Sequence, residues 1–303
     1  MTRIVCVVGP TASGKTALAV PLAERYGGEI VSADSRQIYR GLDVGTAKPT
    51  AEERARVRHH CLDLVAPGET FDAARFREAA SAAIVEIVAR GRIPFVVGGT
   101  GLYVRALLRG LCPAPPREPA VRAALEGELR REGTGALHRR LVALDPERAA
   151  RVAPRDAVRV VRALEVVLTT GVPLSRWQAE HGFRERPYEP LVIGLARHVA
   201  ELDERIAVRA RAMVARGLLD EVRALGARGV AVDALGYREM RAHLDGRIDL
   251  GAAVDATVRA TRRFAKRQRT WFRHEPGIVW RHPEAEVESI AAMTDAFLAG
   301  ARV

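Results

Sequence analysis

The sequence predicts an α/β protein, a parallel sheet flanked by helices, with an all-helical domain inserted into it. Three observations carry this reading. Short β-branched runs alternate with helical apolar periods through the first third of the chain. Residues 113 to 190 carry helical periods only, and a strand pattern returns after them.

Taken in order, residues 3–8 form a β-branched run that stops at Gly9, and residues 15–26 carry helical apolar spacing. Glu29-Ile30-Val31-Ser32 reads as a second buried strand. From Phe71 to Arg90 the apolar positions follow a helical period closed by Gly91, and Ile93-Pro94-Phe95-Val96-Val97 is a third strand ending at Gly98-Gly99. A βαβ series of this kind folds into a parallel sheet with crossover helices. The insertion opens through Pro113-Ala114-Pro115-Pro116 and closes through Arg186-Pro187-Tyr188-Glu189-Pro190. A strand follows at Leu191 to Leu195, then helical patterns over about 199–226 and 250–273, a short strand at Gly277 to Trp280 and a terminal helix. The expected organisation is an α/β core over 1–112, a helical insertion domain over 113–190, and a return to the core with basic helices over 191–303.

The 303 residues are 48% apolar and 28% charged, an ordinary globular mixture, and no apolar stretch approaches the ~20 residues of a membrane span. No signal-peptide pattern opens the chain, so a soluble cytoplasmic protein is expected. Cys6, Cys61 and Cys112 are odd in number and far apart, which supports neither a disulfide framework nor a zinc site. The formal charge of +11 suits a polyanionic partner. Only Lys15, Lys48 and Lys266 among the 48 basic residues are lysines, which marks each as a place where a compact ammonium suits and a planar guanidinium does not.

Lys15 belongs to Gly9-Pro10-Thr11-Ala12-Ser13-Gly14-Lys15-Thr16, a GxxxxGK[ST] phosphate-binding loop (P-loop) set between a predicted strand and a predicted helix. Successive backbone N–H groups and the helix N-terminus converge there on phosphate oxygens. Lys15 adds a point charge, and the Thr16 hydroxyl is a ligand for Mg²⁺. The 93–97 strand ends without the second carboxylate that nucleoside triphosphate hydrolases use, so the donor is open to any diphosphate ester. Asp34 ends the second strand and is expected beside the loop, at the carboxyl edge where ligands of open α/β sheets bind. A carboxylate beside a diphosphate binds the metal or takes a proton from a nucleophile, whereas elsewhere an aspartate here would be a turn former.

From Ala256 to Arg273 there are seven basic side chains and no acid, with Phe264, Trp271 and Phe272 interleaved. Such a stripe reads as a phosphate-contacting surface. His59-His60 lack metal spacing, and Trp177 and Trp280 read as packing residues.

Together with the P-loop, Asp34-Ser35, Asp43-Val44-Gly45-Thr46-Ala47-Lys48-Pro49 and Val97-Gly98-Gly99-Thr100-Gly101-Leu102-Tyr103 resemble the bacterial tRNA dimethylallyltransferases, or isopentenyltransferases. Arg159-Val160-Val161-Arg162-Ala163-Leu164-Glu165, Gly236-Tyr237-Arg238-Glu239 and Ala265-Lys266-Arg267-Gln268-Arg269-Thr270-Trp271 extend the resemblance over nearly the whole chain. It implies a P-loop core and transfer of a dimethylallyl group from dimethylallyl diphosphate to N6 of the adenine 3′ to a tRNA anticodon. It also implies that Asp34 is the general base and that Thr11 to Thr16 hold the diphosphate with Mg²⁺, Thr16 as metal ligand. By the same resemblance Thr100 sits where base and prenyl group meet, and Arg209 reaches the leaving group, with Arg205 as the competing assignment. Contacts to tRNA are implied for Asp34, Ser35, Arg36, Gln37, Thr100, Arg122, Val158, Arg159, Val160, Val161 and Arg162, and the basic stripe adds Arg263 and Arg267. The zinc finger of the eukaryotic enzymes has no ligand set here. The expected species is a monomer, independent of membranes.

Three other classes compete: a P-loop kinase of a small metabolite, a nucleotide-regulated RNA-binding module without catalysis, and an adenylate isopentenyltransferase. The helical insertion and the unneutralised stripe argue against the kinase, the resemblance implies that the adenylate enzymes lack much of this helical arm, and the module leaves Asp34 idle.

Overall fold

The computed structural model describes residues 1–230 and 232–301. Its elements run β1 (Thr2–Val8), α1 (Lys15–Arg25), β2 (Gly28–Ser32), α2 (Ala51–Arg56), β3 (His59–His60), α3 (Ala73–Ala89), β4 (Ile93–Gly98) and α4 (Gly101–Arg109). They continue as α5 (Pro119–Leu144), α6 (Pro146–Arg151), α7 (Ala157–Thr170), α8 (Leu174–His181), β5 (Tyr188–Leu195), α9 (Val199–Ala215) and α10 (Leu218–Ala227). The chain closes with α11 (Tyr237–Leu244), α12 (Leu250–Arg273), β6 (Ile278–Arg281) and α13 (Val287–Ala299).

Two compact units result, one of Met1–Leu108 with Arg186–Val303 and one of Arg109–Glu185. In the first, six strands form one sheet in the order β3-β2-β4-β1-β5-β6, and every neighbouring pair is parallel. From β1 to β2 the chain crosses the sheet one way and from β3 to β4 the other, so right-handed crossovers put α1 and α3 on opposite faces. One face is closed by α1 and α13: Val5, Val7, Ile30, Phe95 and Ile193 of the strands pack with Leu18, Leu22, Ile290 and Phe297. On the other, α3 buries Phe76, Ile84 and Ile87. The register aligns the carboxyl ends, with Val8 beside Gly98 and Ser32 beside Val97, so the loops after β1, β2 and β4 emerge at one edge.

The second unit is all helical. Its core joins Leu125, Leu137 and Leu141 of α5 to Val160, Val161, Leu164 and Val166 of α7. Inside α5, Gly133 has φ 78° and ψ 167°, so this element is two helical stretches meeting at a kink. Asp145 is buried and caps α6 through Arg148 N–H (3.0 Å) while accepting Ser175 N–H (3.0 Å) of α8.

Three local features differ from the sequence expectation. The strand expected from Leu191 begins at Tyr188, because Tyr188, Glu189 and Pro190 already pair with β1. Pro190 is tolerated since pairing with β6 starts only at Val192. The single helical pattern over 199–226 is two helices, broken at Gly217 with φ 96°. The short elements α2, β3, α4 and α11 carry too few periods to be read from the sequence. Among the described residues, no helix is long and apolar enough to cross a membrane.

Candidate active site

The loop after β1 folds as its motif requires. Ser13 N–H closes on Pro10 O (3.3 Å), Ala12 and Gly14 adopt positive φ (64° and 96°), and α1 starts at Lys15. The Lys15 ammonium lies back over the loop, donating to Gly9 O (3.0 Å) and Pro10 O (2.7 Å). Burial lowers its pKa to about 8, Asp34 acts in the opposite direction, and Arg209 adds to the lowering. A lysine held this way gains from an anion placed against it. The Ser13 hydroxyl is buried with no hydrogen-bond partner among the described residues.

Three arginines from one stretch of chain brace successive positions of the loop. Arg197, in the turn after β5, donates to Ser13 O (2.9 Å), Arg205 of α9 to Ala12 O (3.0 Å), and Arg209 of α9 to the Thr11 hydroxyl (3.1 Å). The spacing of four puts Arg205 and Arg209 on one face of the helix. They differ in compensation. Arg197 is paired with Glu201 and with Glu284 (2.5 Å), and Arg205 lies 3.6 Å from Glu284. Arg209 has no ion-pair partner among the described residues, and burial lowers its pKa against the pull of Asp34.

The loop after β2 supplies Asp34. Its Oδ1 accepts the N–H groups of Arg36 (2.8 Å) and Gln37 (3.4 Å), so the turn-forming role is real. The same carboxylate lines the cavity with Lys15, Thr16 and Arg209, and its Oδ2 has no hydrogen bond among the described residues. The strand that leads into Asp34, β2, is not the neighbour of β1; β4 lies between them. Asp34 still faces the P-loop because β4 ends in two glycines. A Cβ on Gly98 would stand 2.1 Å from Ala33 O, and one on Gly99 would stand 2.4 Å from the Gln268 amide nitrogen, so only bare backbone fits between the two loops. Thr100 accepts Ser35 N–H (3.0 Å) and donates its own N–H to Ala33 O (3.1 Å). It ties the β2 loop to the end of β4 and is not part of the cavity lining.

A cavity of about 700 Å³ opens over these groups, within the size range of small-ligand sites. Its floor is the P-loop, its flanks are Asp34, Arg36 and Gln37, Gly45 to Lys48 and α9, and α12 closes it with Thr257, Thr261, Phe264 and Gln268. A recess of about 40 Å³ that shares Lys15, Thr16 and Asp34 with it is bounded also by Ser32 and His59.

The sequence profile of the IPP transferase family matches residues 37–275. The chain belongs to this family. It is 58% identical to a tRNA dimethylallyltransferase of Anaeromyxobacter dehalogenans (strain 2CP-C), over 95% of this chain and 98% of that one. To the tRNA dimethylallyltransferase of Geobacter metallireducens it is 49% identical, over 98% and 97%. The crystal structure of the tRNA isopentenylpyrophosphate transferase of Bacillus halodurans superposes with a TM-score of 0.72 at 40% identity, covering 99% of this chain and 96% of that one. A eukaryotic dimethylallyltransferase solved acting on tRNA shares the fold, with a TM-score of 0.85 at 24% identity over 100% of this chain and 81% of that one. This affiliation does not favour the metabolite-kinase alternative.

On this IPP transferase the basic stripe of α12 is half surface and half wall. Arg259, Arg262, Arg263, Lys266, Arg267 and Arg273 are exposed, and only Arg262 has an ion pair among the described residues, with Asp203 (3.5 Å). The interleaved aromatics are not a free stacking ladder. Phe272 is buried, Trp271 packs on Gly101 beneath Arg105 (4.3 Å to the ring centre), and Phe264 faces the cavity with Arg267 over it (5.6 Å).

In the helical unit, Val158 is exposed and Arg159 lies beside Asp156 (3.4 Å). The side chains of Val160 and Val161 are in the core, 0% and 2% exposed, and are not available to a nucleic acid. The helical period explains this, since α7 turns those positions onto α5. Arg162 and Arg122 both reach the buried Glu165 (2.9 and 3.4 Å), which holds their guanidinium groups in place.

Two residues of the site are invisible to motif reading. Gln268 accepts Thr11 N–H (2.8 Å) and donates to Gly99 O (2.8 Å), bridging the loops after β1 and β4. It stands inside a quoted motif but reads there as one polar residue of a basic helix. Arg197 sits 184 positions from the carbonyl it binds, and no local signal marks it.

Proposed function

We propose that this IPP transferase is a cytoplasmic, monomeric tRNA dimethylallyltransferase, moving a dimethylallyl group from dimethylallyl diphosphate to N6 of the adenine 3′ to the anticodon. The observation that carries the reading is the convergence of Lys15, Arg209 and Asp34 on one cavity over the P-loop.

Cleavage of the allylic C1–O bond leaves negative charge on diphosphate and positive charge on the prenyl group. In this reading Lys15, Arg209 and the loop N–H groups other than those of Thr11 and Ser13, which are bonded to Gln268 and Pro10, receive the departing anion, and they gain most as its charge develops. The exocyclic nitrogen of adenine forms the new C–N bond with its lone pair. Asp34, through its uncommitted Oδ2, takes the N6 proton, and diphosphate leaves. A base filling the cavity mouth excludes water from the allylic cation. An adenine in a single-stranded loop enters such a site at less cost than one in a duplex.

The donor set fits Mg²⁺. The Thr16 hydroxyl has no hydrogen bond among the described residues and lines the cavity with Asp34, and no group of three or more His, Cys, Asp or Glu side chains forms a metal cage among the described residues. Oxygen donors few in number, completed by diphosphate and water, are what Mg²⁺ takes. When bound, the ion neutralises charge on the diphosphate.

For tRNA itself we assign Ser35, Arg36 and Gln37 beside the cavity, Arg263 and Arg267 on α12, and Arg122, Val158, Arg159 and Arg162 on the helical unit. The test is mass spectrometry of unmodified tRNA incubated with the protein, Mg²⁺ and either dimethylallyl diphosphate or ATP. One dimethylallyl group on an anticodon-loop adenine, with the diphosphate donor only, is the expected result; no mass change with that donor overturns the proposal.

A further inference from the structure

Two motifs that carry the family resemblance, Asp43 to Pro49 and Gly236 to Glu239, take no part in the chemistry above. They meet at Glu221 of α10. Glu221 Oε2 accepts the N–H groups of Asp43 (2.8 Å) and Val44 (2.8 Å), and Oε1 accepts Gly45 N–H (3.0 Å) and the Tyr237 hydroxyl (2.5 Å). Three consecutive amides converging on one point form an anion-binding concavity, and here a side-chain carboxylate fills it. The buried Tyr237 ring lies so close to Gly45 that a Cβ there would stand 2.5 Å away.

The loop fixed in this way lines the cavity from Gly45 to Lys48. It also presents Thr46 O and Ala47 O to the Gln37 amide (3.3 and 3.1 Å). Gln37 in turn accepts the Ser32 hydroxyl (2.9 Å) and donates its backbone N–H to Asp34 (3.4 Å). A different set, Gln268 with Arg197, Arg205 and Arg209, holds the P-loop.

We infer that Glu221 and Tyr237 are positioning residues for the acceptor side of the cavity, setting Gln37 through the 43–48 loop and leaving the diphosphate side untouched. The inference rests on the reading of the cavity as a tRNA prenylation site. A carboxylate is required at position 221, because the amide of glutamine has one acceptor oxygen for donors that converge from Asp43, Val44, Gly45 and Tyr237.

The variants are Tyr237→Phe, which keeps the ring, and Glu221→Gln. In steady-state transfer, Tyr237→Phe raises KM for tRNA about fivefold, the factor typical of one lost hydrogen bond, and Glu221→Gln raises it more. KM for dimethylallyl diphosphate stays within about twofold in both, since the P-loop braces are intact. The double variant is no worse than Glu221→Gln, because the two residues act along one path. Hydrogen exchange read by mass spectrometry finds the 43–45 amides exchanging faster in Glu221→Gln. A fall in kcat that tracks the folded fraction, with both KM values unchanged, overturns the inference in favour of a structural role. Unchanged exchange at 43–45 overturns it whether or not the protein transfers to tRNA. A wild-type protein that transfers nothing to tRNA overturns the proposed function, while the exchange measurement still decides whether Glu221 holds the loop.

Discussion

The side chain of Gln268 accepts the backbone N–H of Thr11 at 2.8 Å, linking the basic helix α12 to the phosphate-binding loop across 257 residues of chain. Its amide nitrogen reaches Gly99 O at 2.8 Å, so one buried side chain spans the loops that end β1 and β4. The helix that presents arginines to solvent on one face thus braces the P-loop with the other.

Gln268→Ala leaves Thr11 N–H and Gly99 O without their partner. Binding of inorganic diphosphate with Mg²⁺, followed by titration calorimetry, should weaken about tenfold, and chemical denaturation should show a loss of about 1–3 kcal/mol. Lower stability with unchanged diphosphate binding would make the bridge purely structural.

For Asp34 the informative change is to Asn, since its side-chain oxygen still accepts the N–H of Arg36 and preserves the turn. Single-turnover transfer should fall ~100-fold or more, as for loss of a positioned base, while tRNA affinity stays near wild type. Turnover at the wild-type rate would remove Asp34 from proton transfer.

Arg263 and Arg267 lie four apart on the exposed face of α12, where one phosphate strand can meet both. Replacing both with Gln should weaken tRNA binding and lower the slope of log K against log salt by about two. An unaltered slope returns the face to ordinary solvation.

Acid stability should depend on Glu29 of β2, which accepts from Arg90 (3.0 and 2.8 Å) and bonds His60 (2.6 Å). The Arg90 hydrogen bonds hold its pKa down to about 2, outweighing burial, with His60 adding to the lowering. The folded state therefore binds fewer protons than the unfolded one between that value and the ordinary 4.5. The stabilisation is complete above the upper value and is lost as pH falls towards the lower one. Denaturation midpoints of Glu29→Gln across this range should show a flattened acid limb and a deficit of about 3 kcal/mol at neutral pH. Parallel limbs for variant and wild type would exclude this contribution.

What could be read from the sequence is what is encoded locally. Gly9 to Thr16 form a phosphate loop because strand, glycines, lysine and threonine are contiguous, and Asp34 is marked by following directly on a buried strand. The parallel sheet and the helical insertion follow from short β-branched runs alternating with helical periods, and from a 3.6 period sustained alone over 113–190. The family resemblance rests on such contiguous blocks as well. The tertiary structure alone decided the strand order, which sets β4 between β1 and β2 and makes the bare backbone of Gly98-Gly99 the reason Asp34 faces Lys15. It also decided that Arg197, Arg205, Arg209 and Gln268 converge on residues 11–13, and that Glu221 closes on the amides of 43–45. These contacts join positions 176 to 257 residues apart. Periodicity specifies which face of a helix is buried but not which partner meets it, so such pairings are settled only when the core packs.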